Sequence, residues 1–104
     1  MQSSMELESH NSLQLKIITP DKIVFDDHVD HVVLPTINGE MGIYANHTPL
    51  MTKVKEGTIK IYLMDNRLFN LHFDHGLAKV KDNLLTILIH GNVNLMEEGK
   101  TEQK

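Results

Sequence analysis

Hydrophobic and polar residues alternate along several short segments of the chain. Leu13, Leu15 and Ile17 are apolar and are separated by polar residues, which is the two-residue period of a half-buried strand. The same alternation returns over residues 58–63 and again over residues 69–73. Turn-forming residues recur about every 8–12 positions, and no long segment has apolar residues at helical spacing. The pattern therefore predicts an all-β fold, an antiparallel β-sandwich or flattened barrel of about eight to ten short strands.

Other segments complete this predicted strand pattern. The charged pair Asp26 and Asp27 is interpreted as the turn between short strands over residues 22–25 and 29–34. Further strands are predicted over residues 50–54, 76–80 and 84–89.

Residues 34–50 form the most distinctive stretch, with a proline near each end and two glycines inside. Asn38 and Gly39 form a turn dipeptide between apolar residues 32–34 and 41–43, which predicts a hairpin with Gly39 at positive φ. We expect both glycines of the stretch to be present for their backbone freedom. As composition alone, the stretch is equally compatible with an ordinary corner of a β-protein.

The chain of 104 residues has the length of one domain with a single core. Residues 1–12 are polar and irregular, and we expect them to be disordered or loosely held. Residues 13–96 are predicted to form the β-sandwich, and residues 97–104 a polar C-terminal tail.

Composition and charge exclude several classes of partner and site. The formal net charge is −4 and no basic stripe occurs, so a nucleic-acid-binding surface is not expected. The absence of cysteine excludes a disulfide framework and any cysteine-based metal site. No apolar run approaches the roughly 20 residues of a membrane-spanning helix, and no export signal is evident, so we expect a soluble chain.

Histidines and carboxylates are the remaining candidates for chemistry. His28 and His31 lie three positions apart, as do His72 and His75, and imidazole is a ligand for zinc, manganese or iron. A gap of three in a strand directs the two side chains to opposite faces, which argues against a shared metal. No nucleophile, phosphate-binding or His-Glu-x-x-His motif occurs. A small metal-binding β-sandwich or cupin-like enzyme that uses these four histidines stays open as an alternative.

The order of residues carries a family resemblance. A Gly-Glu-x-Gly-Ile motif over residues 39–43 leads to a His-x-Pro-Leu-Met-Thr motif over residues 47–52 and then to a strand opened by Gly57. Upstream, residues 19–21 and 24–26 provide a Thr-Pro-Asp turn and a Val-Phe-Asp segment. From about Leu13 to about Asn94, this order resembles the epsilon subunit of the F-type ATP synthase.

The resemblance implies a non-catalytic rotor subunit of the central stalk of a proton-translocating ATP synthase. In that family the β-sandwich packs against the gamma subunit and the c-ring, and it couples ring rotation to the catalytic head. By motif match, the residues that would face the c-ring are Asn38, Gly39, Glu40 and Gly42. An edge that would face gamma includes Thr19, His47 and Thr52, although His47 is equally interpretable as a structural histidine.

The resemblance also implies a location and a set of ligands. The subunit would lie on the cytoplasmic face of the bacterial inner membrane, attached only through the complex. It implies no cofactor, no metal, no nucleic acid and no small-molecule substrate.

Three features depart from the family pattern. The family commonly has a Gly-Gly pair where this chain has His75 and Gly76, and an acidic residue where it has His90. The family also continues into a C-terminal helical hairpin that can inhibit ATP hydrolysis, whereas residues 97–104 are too few for it. From the sequence we therefore expect negligible binding of ATP.

Overall fold

The computed structural model of the chain describes residues 12–100. That part contains eight strands, and no helix in it is long and apolar enough to cross a lipid bilayer. Residues 1–11, which include nearly all of the segment expected to be loosely held, and residues 101–104 lie outside the described part. The strands are β1 (Leu13–Ile18), β2 (Ile23–Val29), β3 (His31–Thr36), β4 (Gly39–Tyr44), β5 (Leu50–Val54), β6 (Gly57–Tyr62), β7 (Arg67–Lys81) and β8 (Leu84–Lys100).

The strands form one mixed sheet in the order β2, β1, β8, β7, β6, β3, β4, with β5 paired to β7. β7 and β8 are 15 and 17 residues long, so their hairpin serves two groups of strands. Near the turn of this hairpin, β8 pairs with β1 and β7 pairs with β5. At the other end of the hairpin, β7 pairs with β6. We call these two groups the β1 layer (β2, β1, β5) and the β6 layer (β6, β3, β4).

The predicted all-β sandwich of about eight strands is confirmed, with three differences in detail. β1 and β8 run parallel, so the sheet is mixed and not wholly antiparallel. The path of paired strands ends at β2 and β4, so the sheet is not closed into a flattened barrel. β7 and β8 are long, and β8 continues to Lys100 within the segment interpreted as a polar tail.

One core lies between the layers and follows the alternation of the sequence. Leu13, Leu15 and Ile17 of β1 have no exposed surface, and neither have Ile59 and Ile61 of β6. Each such side chain contributes about 1.5–3 kcal/mol by its removal from water. The two-residue period therefore fixes which face of each strand is internal.

The predicted turn at Asp26 and Asp27 is wrong, because β2 continues through both residues to Val29. Asp26 lies opposite Lys16 in β1, and its Oδ1 accepts a hydrogen bond of 3.1 Å from Gln14 Nε2. β2 is an edge strand, where charged side chains can stay in water. The change of direction comes at Asp30.

A bulge lies near the middle of the β7–β8 hairpin. Phe73 pairs with Val93 and His75 pairs with His90, so β8 has one more residue than β7 between the two pairs. Gly91 supplies the irregularity with a φ of +87°. A left-handed glycine at an extra residue is characteristic of a bulge that bends the strand and increases its twist.

This bulge changes which residues of β7 face the core. Phe73 and Ala78 are both buried although they are five positions apart, so the two-residue alternation changes phase between them. As a result His72 and His75 are both exposed. The expectation that their side chains lie on opposite faces is therefore wrong.

Candidate functional site

The β3–β4 hairpin turns one residue earlier than the predicted Asn38-Gly39 dipeptide. Ile37 and Asn38 connect the strands, and Thr36 pairs with Gly39, whose φ of +108° confirms the predicted positive φ. The hydroxyl of Thr36, which is only 2% exposed, donates to the carbonyl oxygen of Gly39 at 2.7 Å. The hydroxyl oxygen of Thr36 in turn accepts the N–H of Asn38 at 3.2 Å. A buried hydroxyl thus holds the turn from the inside, a contact that the sequence analysis did not identify.

We call residues 37–42 the tip. Asn38, Gly39, Glu40 and Gly42 are all exposed, so the structure brings the four residues assigned to the c-ring together on one hairpin. Ile37 joins them with 79% of its surface exposed. The tip therefore presents one apolar side chain and one carboxylate on a hydrogen-bonded turn.

Gly42 has a role other than the expected backbone freedom. It lies within β4 and is not among the described residues with positive φ. A Cβ at this position would lie 3.2 Å from Cε1 of Tyr44, two residues along the strand. The glycine therefore leaves room for the tyrosine ring beside it.

Tyr44 is one member of a stack of three rings on the outer face of the β6 layer. His31 lies between Tyr44 and Tyr62, with ring centroids 4.5 and 4.3 Å away and nearly parallel planes. Nδ1 of His31 lies 2.8 Å from Oδ2 of Asp30, which orients the imidazole. The sequence analysis missed this stack, although the pairing of Thr36 with Gly39 already places His31 opposite Tyr44.

The three residues assigned to gamma do not share one edge. Thr19 follows β1 at the end where Ile18 pairs with Leu88. His47 precedes β5 and lies beside Asn83 at the opposite end of the β1 layer. Their separation could not be read from the sequence, because it depends on the parallel register of β1 and β8.

Local contacts of these three residues are structural. The hydroxyl oxygen of Thr19 accepts the N–H groups of Asp21 and Lys22, each at 3.2 Å. Nδ1 of His47 lies 2.7 Å from the carbonyl oxygen of Thr48. Thr52 is half-buried on the face of β5 that also carries buried Val54. Thr19 and His47 thus make contacts within their own turns, and Thr52 packs within its own strand.

The four histidines of the alternative reading are not gathered into one site. His28 lies in β2 and contacts Ser12, whereas His31 lies in the ring stack of the other layer. Nδ1 of His72 lies 2.8 Å from the Thr58 hydroxyl, whereas His75 pairs with His90 across the hairpin. Among residues 12–100, no three His, Asp or Glu side chains are placed to share a metal ion.

Comparison with known proteins agrees with this geometry. The family model described as "ATP synthase, Delta/Epsilon chain, beta-sandwich domain" matches residues 12–94. The ATP synthase epsilon chain of Gloeobacter violaceus is 50% identical over 77 residues, which are 74% of this chain and 58% of that protein. The chloroplastic ATP synthase epsilon chain of Mesostigma viride is 37% identical over 78 residues, 75% of this chain and 59% of that one. The chain thus spans less than two thirds of the length of these relatives.

Solved structures show the same fold at low sequence identity. A chain of the Euglena gracilis mitochondrial ATP synthase superposes with a TM-score of 0.76 at 18% identity, covering 82% of this chain and 54% of that one. A chain from the central stalk and c-ring of the Tetrahymena thermophila mitochondrial ATP synthase gives 0.63 at 15% identity, covering 79% and 65%. The sandwich, the hairpin tip and the family match over residues 12–94 lead to one conclusion: this chain belongs to the delta/epsilon chain β-sandwich family of the ATP synthase.

Proposed function

We propose that this chain is a non-catalytic rotor subunit in the central stalk of a proton-translocating F-type ATP synthase. It couples rotation of the membrane c-ring to the catalytic head through the gamma subunit. The observation that carries the proposal is the family match over residues 12–94, supported by relatives named ATP synthase epsilon chain. The subunit is peripheral, on the cytoplasmic face of a bacterial inner membrane, and it attaches through the complex.

The construction of the tip supports this task. A rotor subunit gains affinity when its contact surface is already ordered, because ordering a side chain at an interface costs about 0.5–1.5 kcal/mol. Thr36 orders the turn with two hydrogen bonds, and Gly39 supplies the left-handed residue. The tip therefore loses little conformational freedom when it docks.

The proposed c-ring contact consists of Asn38, Gly39, Glu40 and Gly42, and the structure adds Ile37. An exposed isoleucine beside a carboxylate resembles the centre and rim of a protein interface, where an apolar anchor is surrounded by polar groups. Polar loops of a c-ring would accept Glu40 at the rim and cover Ile37.

The proposed gamma contact consists of Thr19, His47 and Thr52. These residues lie at both ends and in the middle of the β1 layer, so gamma would contact them at separate points. His47 lies beside Asn46 and Pro49 in an open groove and is half-buried, as are Thr19 and Thr52.

Single-cysteine cross-linking tests both contacts, because the chain has no cysteine of its own. We would introduce Glu40→Cys and His47→Cys separately, assemble each variant into the complex and attach a photoactivatable maleimide. The proposal predicts a product with subunit c from the first variant and a product with gamma from the second.

Met64→Cys is the matched control. Met64 is 55% exposed in the turn between β6 and β7, at the end of the β6 layer away from the tip. It should give no product with subunit c. A subunit c product from Met64→Cys but none from Glu40→Cys would reverse the proposed orientation, and no product with either partner would overturn the function itself.

A further inference from the structure

Two departures from the family pattern meet in the structure. His75 of β7 pairs with His90 of β8 beside the bulge, and their ring centroids lie 5.7 Å apart with an interplanar angle of 8°. Both side chains are exposed on the same outer surface. The chain thus carries two imidazoles on neighbouring strands where nothing in the fold requires either one.

The nitrogens of this pair are available, unlike those of the other described histidines. His28, His31, His47 and His72 each place a ring nitrogen within hydrogen-bond distance of a protein group. Within residues 12–100, the rings of His75 and His90 contact one another and form no hydrogen bond with protein. Their lone pairs can therefore bind a ligand without breaking a hydrogen bond to protein.

We propose that His75 and His90 form a two-imidazole site for a divalent transition-metal ion of the copper, nickel or zinc class, with water completing the coordination. Imidazole is a preferred ligand for these ions, and copper binds most tightly of the three. A metal–nitrogen distance of about 2.0–2.1 Å at a tetrahedral angle places two ring centroids about 5 Å apart. The observed 5.7 Å is close to that value, but the rings are stacked with nearly parallel planes, so both exposed side chains must rotate before their in-plane lone pairs converge on one ion.

Charged side chains around His75 and His90 influence the affinity of the site for a cation. Lys53 and Lys55 line the same open groove and oppose a cation, although their exposed ammonium groups can extend away into water. Asp74 is adjacent in sequence, but its Oδ2 already accepts the N–H of Asn92 at 2.9 Å. The site therefore has two protein ligands, His75 and His90. It favours copper over nickel and zinc because copper binds nitrogen ligands most tightly of the three.

A bound ion would link β7 to β8 next to the bulge that joins the two layers. Binding to the native state alone stabilises it in proportion to the logarithm of metal concentration over Kd. The metal would therefore cross-link β7 and β8 at the bend of the long hairpin and stabilise it. Ile37 of the tip lines the same groove as the two histidines, so the ion would lie beside the proposed c-ring contact.

The test uses the full metal-free chain at neutral pH. Calorimetric titration with Cu²⁺, Ni²⁺ and Zn²⁺ should give one site per chain, and Cu²⁺ should bind with the highest affinity. His75→Gln and His90→Gln should each weaken binding about tenfold or more, because loss of one ligand removes the chelate advantage. The double variant removes both imidazoles and should lose binding at this site.

His72→Gln is the matched control, since His72 is an exposed histidine of the same strand and already contacts Thr58. It should bind metal as the parent does. Zinc-dependent NMR shifts in the parent chain give a second readout, and they should be confined to the rings of His75 and His90. Equal loss in the control, unchanged binding in both single variants, or shifts spread over other histidines would overturn the site.

Discussion

At the residue scale, a few atoms determine the shape of the tip. Thr36 contributes a buried hydroxyl, Gly39 a left-handed backbone, and Gly42 the space for a neighbouring ring. None of these contributions depends on the exposed side chains of the tip, Ile37 and Glu40. Shape and surface chemistry can therefore be changed independently by mutation.

Gly39→Val should strain the turn, because a β-branched residue is a poor occupant of left-handed backbone space. A Cβ at this position meets no atom within 4 Å, so backbone strain is the only expected cost, about 1–2 kcal/mol. Thermal unfolding should show a Tm lower by about 4–8 °C or somewhat more. Gly39→Asn should cost less, since asparagine visits this region more readily. An unchanged Tm for Gly39→Val would contradict the account of the turn.

Asp65 and Arg67 form a local charge pair in the turn between β6 and β7. Arg67 donates its N–H to Asp65 Oδ1 at 3.2 Å, and its Nε approaches Oδ2 at 2.9 Å. The backbone hydrogen bond is the largest cause that lowers the pKa of Asp65 below its ordinary value of 3.8, and the guanidinium lowers it further. The ionised carboxylate therefore stabilises the fold above that ordinary value, and this contribution disappears as the pH falls through the lowered pKa.

Arg67→Gln separates the two causes. It removes the guanidinium but keeps the backbone N–H, so we expect the pKa of Asp65 to rise while staying below its ordinary value. A carboxyl-carbon NMR titration of both proteins measures the change. A complete return to the ordinary pKa in the variant would show that the guanidinium is the dominant cause.

At the element scale, the β7–β8 hairpin joins the two layers, and its bulge determines which residues of β7 face the core on each side of the bend. Gly91 has a φ of +87°, and a Cβ there would overlap Oδ2 of Asp74. Gly91→Ala should therefore destabilise the fold by about 1–3 kcal/mol through backbone strain, with a further cost from the overlap. Urea unfolding should show a lower midpoint with an unchanged m value.

The double variant Gly91→Ala with Asp74→Ala is the informative control. It removes the overlap with Oδ2 and also the hydrogen bond to the N–H of Asn92, but it leaves the strained backbone and the Cβ of residue 74, 2.9 Å from the new Cβ, in place. Non-additive effects of the two changes would reveal the overlap. A midpoint for Gly91→Ala equal to that of the parent would mean that the bulge tolerates a side chain.

Local features of the elements were predictable from the sequence, whereas nonlocal ones were not. The alternation of β1 and the positive φ of Gly39 depend on adjacent residues, and both are confirmed, although the turn itself lies one residue earlier, at Ile37 and Asn38. The continuation of β7 through Asp74 was missed, because Asp-His-Gly is typical of a turn and only pairing with β8 keeps it extended. The edge position of β2 likewise explains why Asp26 remains within a strand.

The same distinction applies to the candidate site. The four tip residues are nearly consecutive, so one predicted hairpin was enough to bring them together. Thr19 and His47 were assigned to one edge, but the parallel pairing of β1 with β8 places them at opposite ends of a layer. That pairing joins strands from the two ends of the chain, and no local pattern specifies it.

At the scale of the whole molecule, two layers enclose one hydrophobic core and carry a hydrogen-bonded tip. No catalytic group is needed for the proposed task, which is to transmit rotation from one partner to another. The family match covers residues 12–94, so the core and the tip belong to the shared domain. The His75 and His90 pair lies in the same domain.

Affinity purification of the tagged full chain from membranes of its source organism is the decisive test of the rotor assignment. If the chain is a rotor subunit, gamma, subunit c and the catalytic subunits should be recovered with it, in the fixed proportions of an assembled ATP synthase. Recovery of the chain alone, or with proteins unrelated to the ATP synthase while the enzyme remains in the flow-through without it, would contradict the assignment as a rotor subunit.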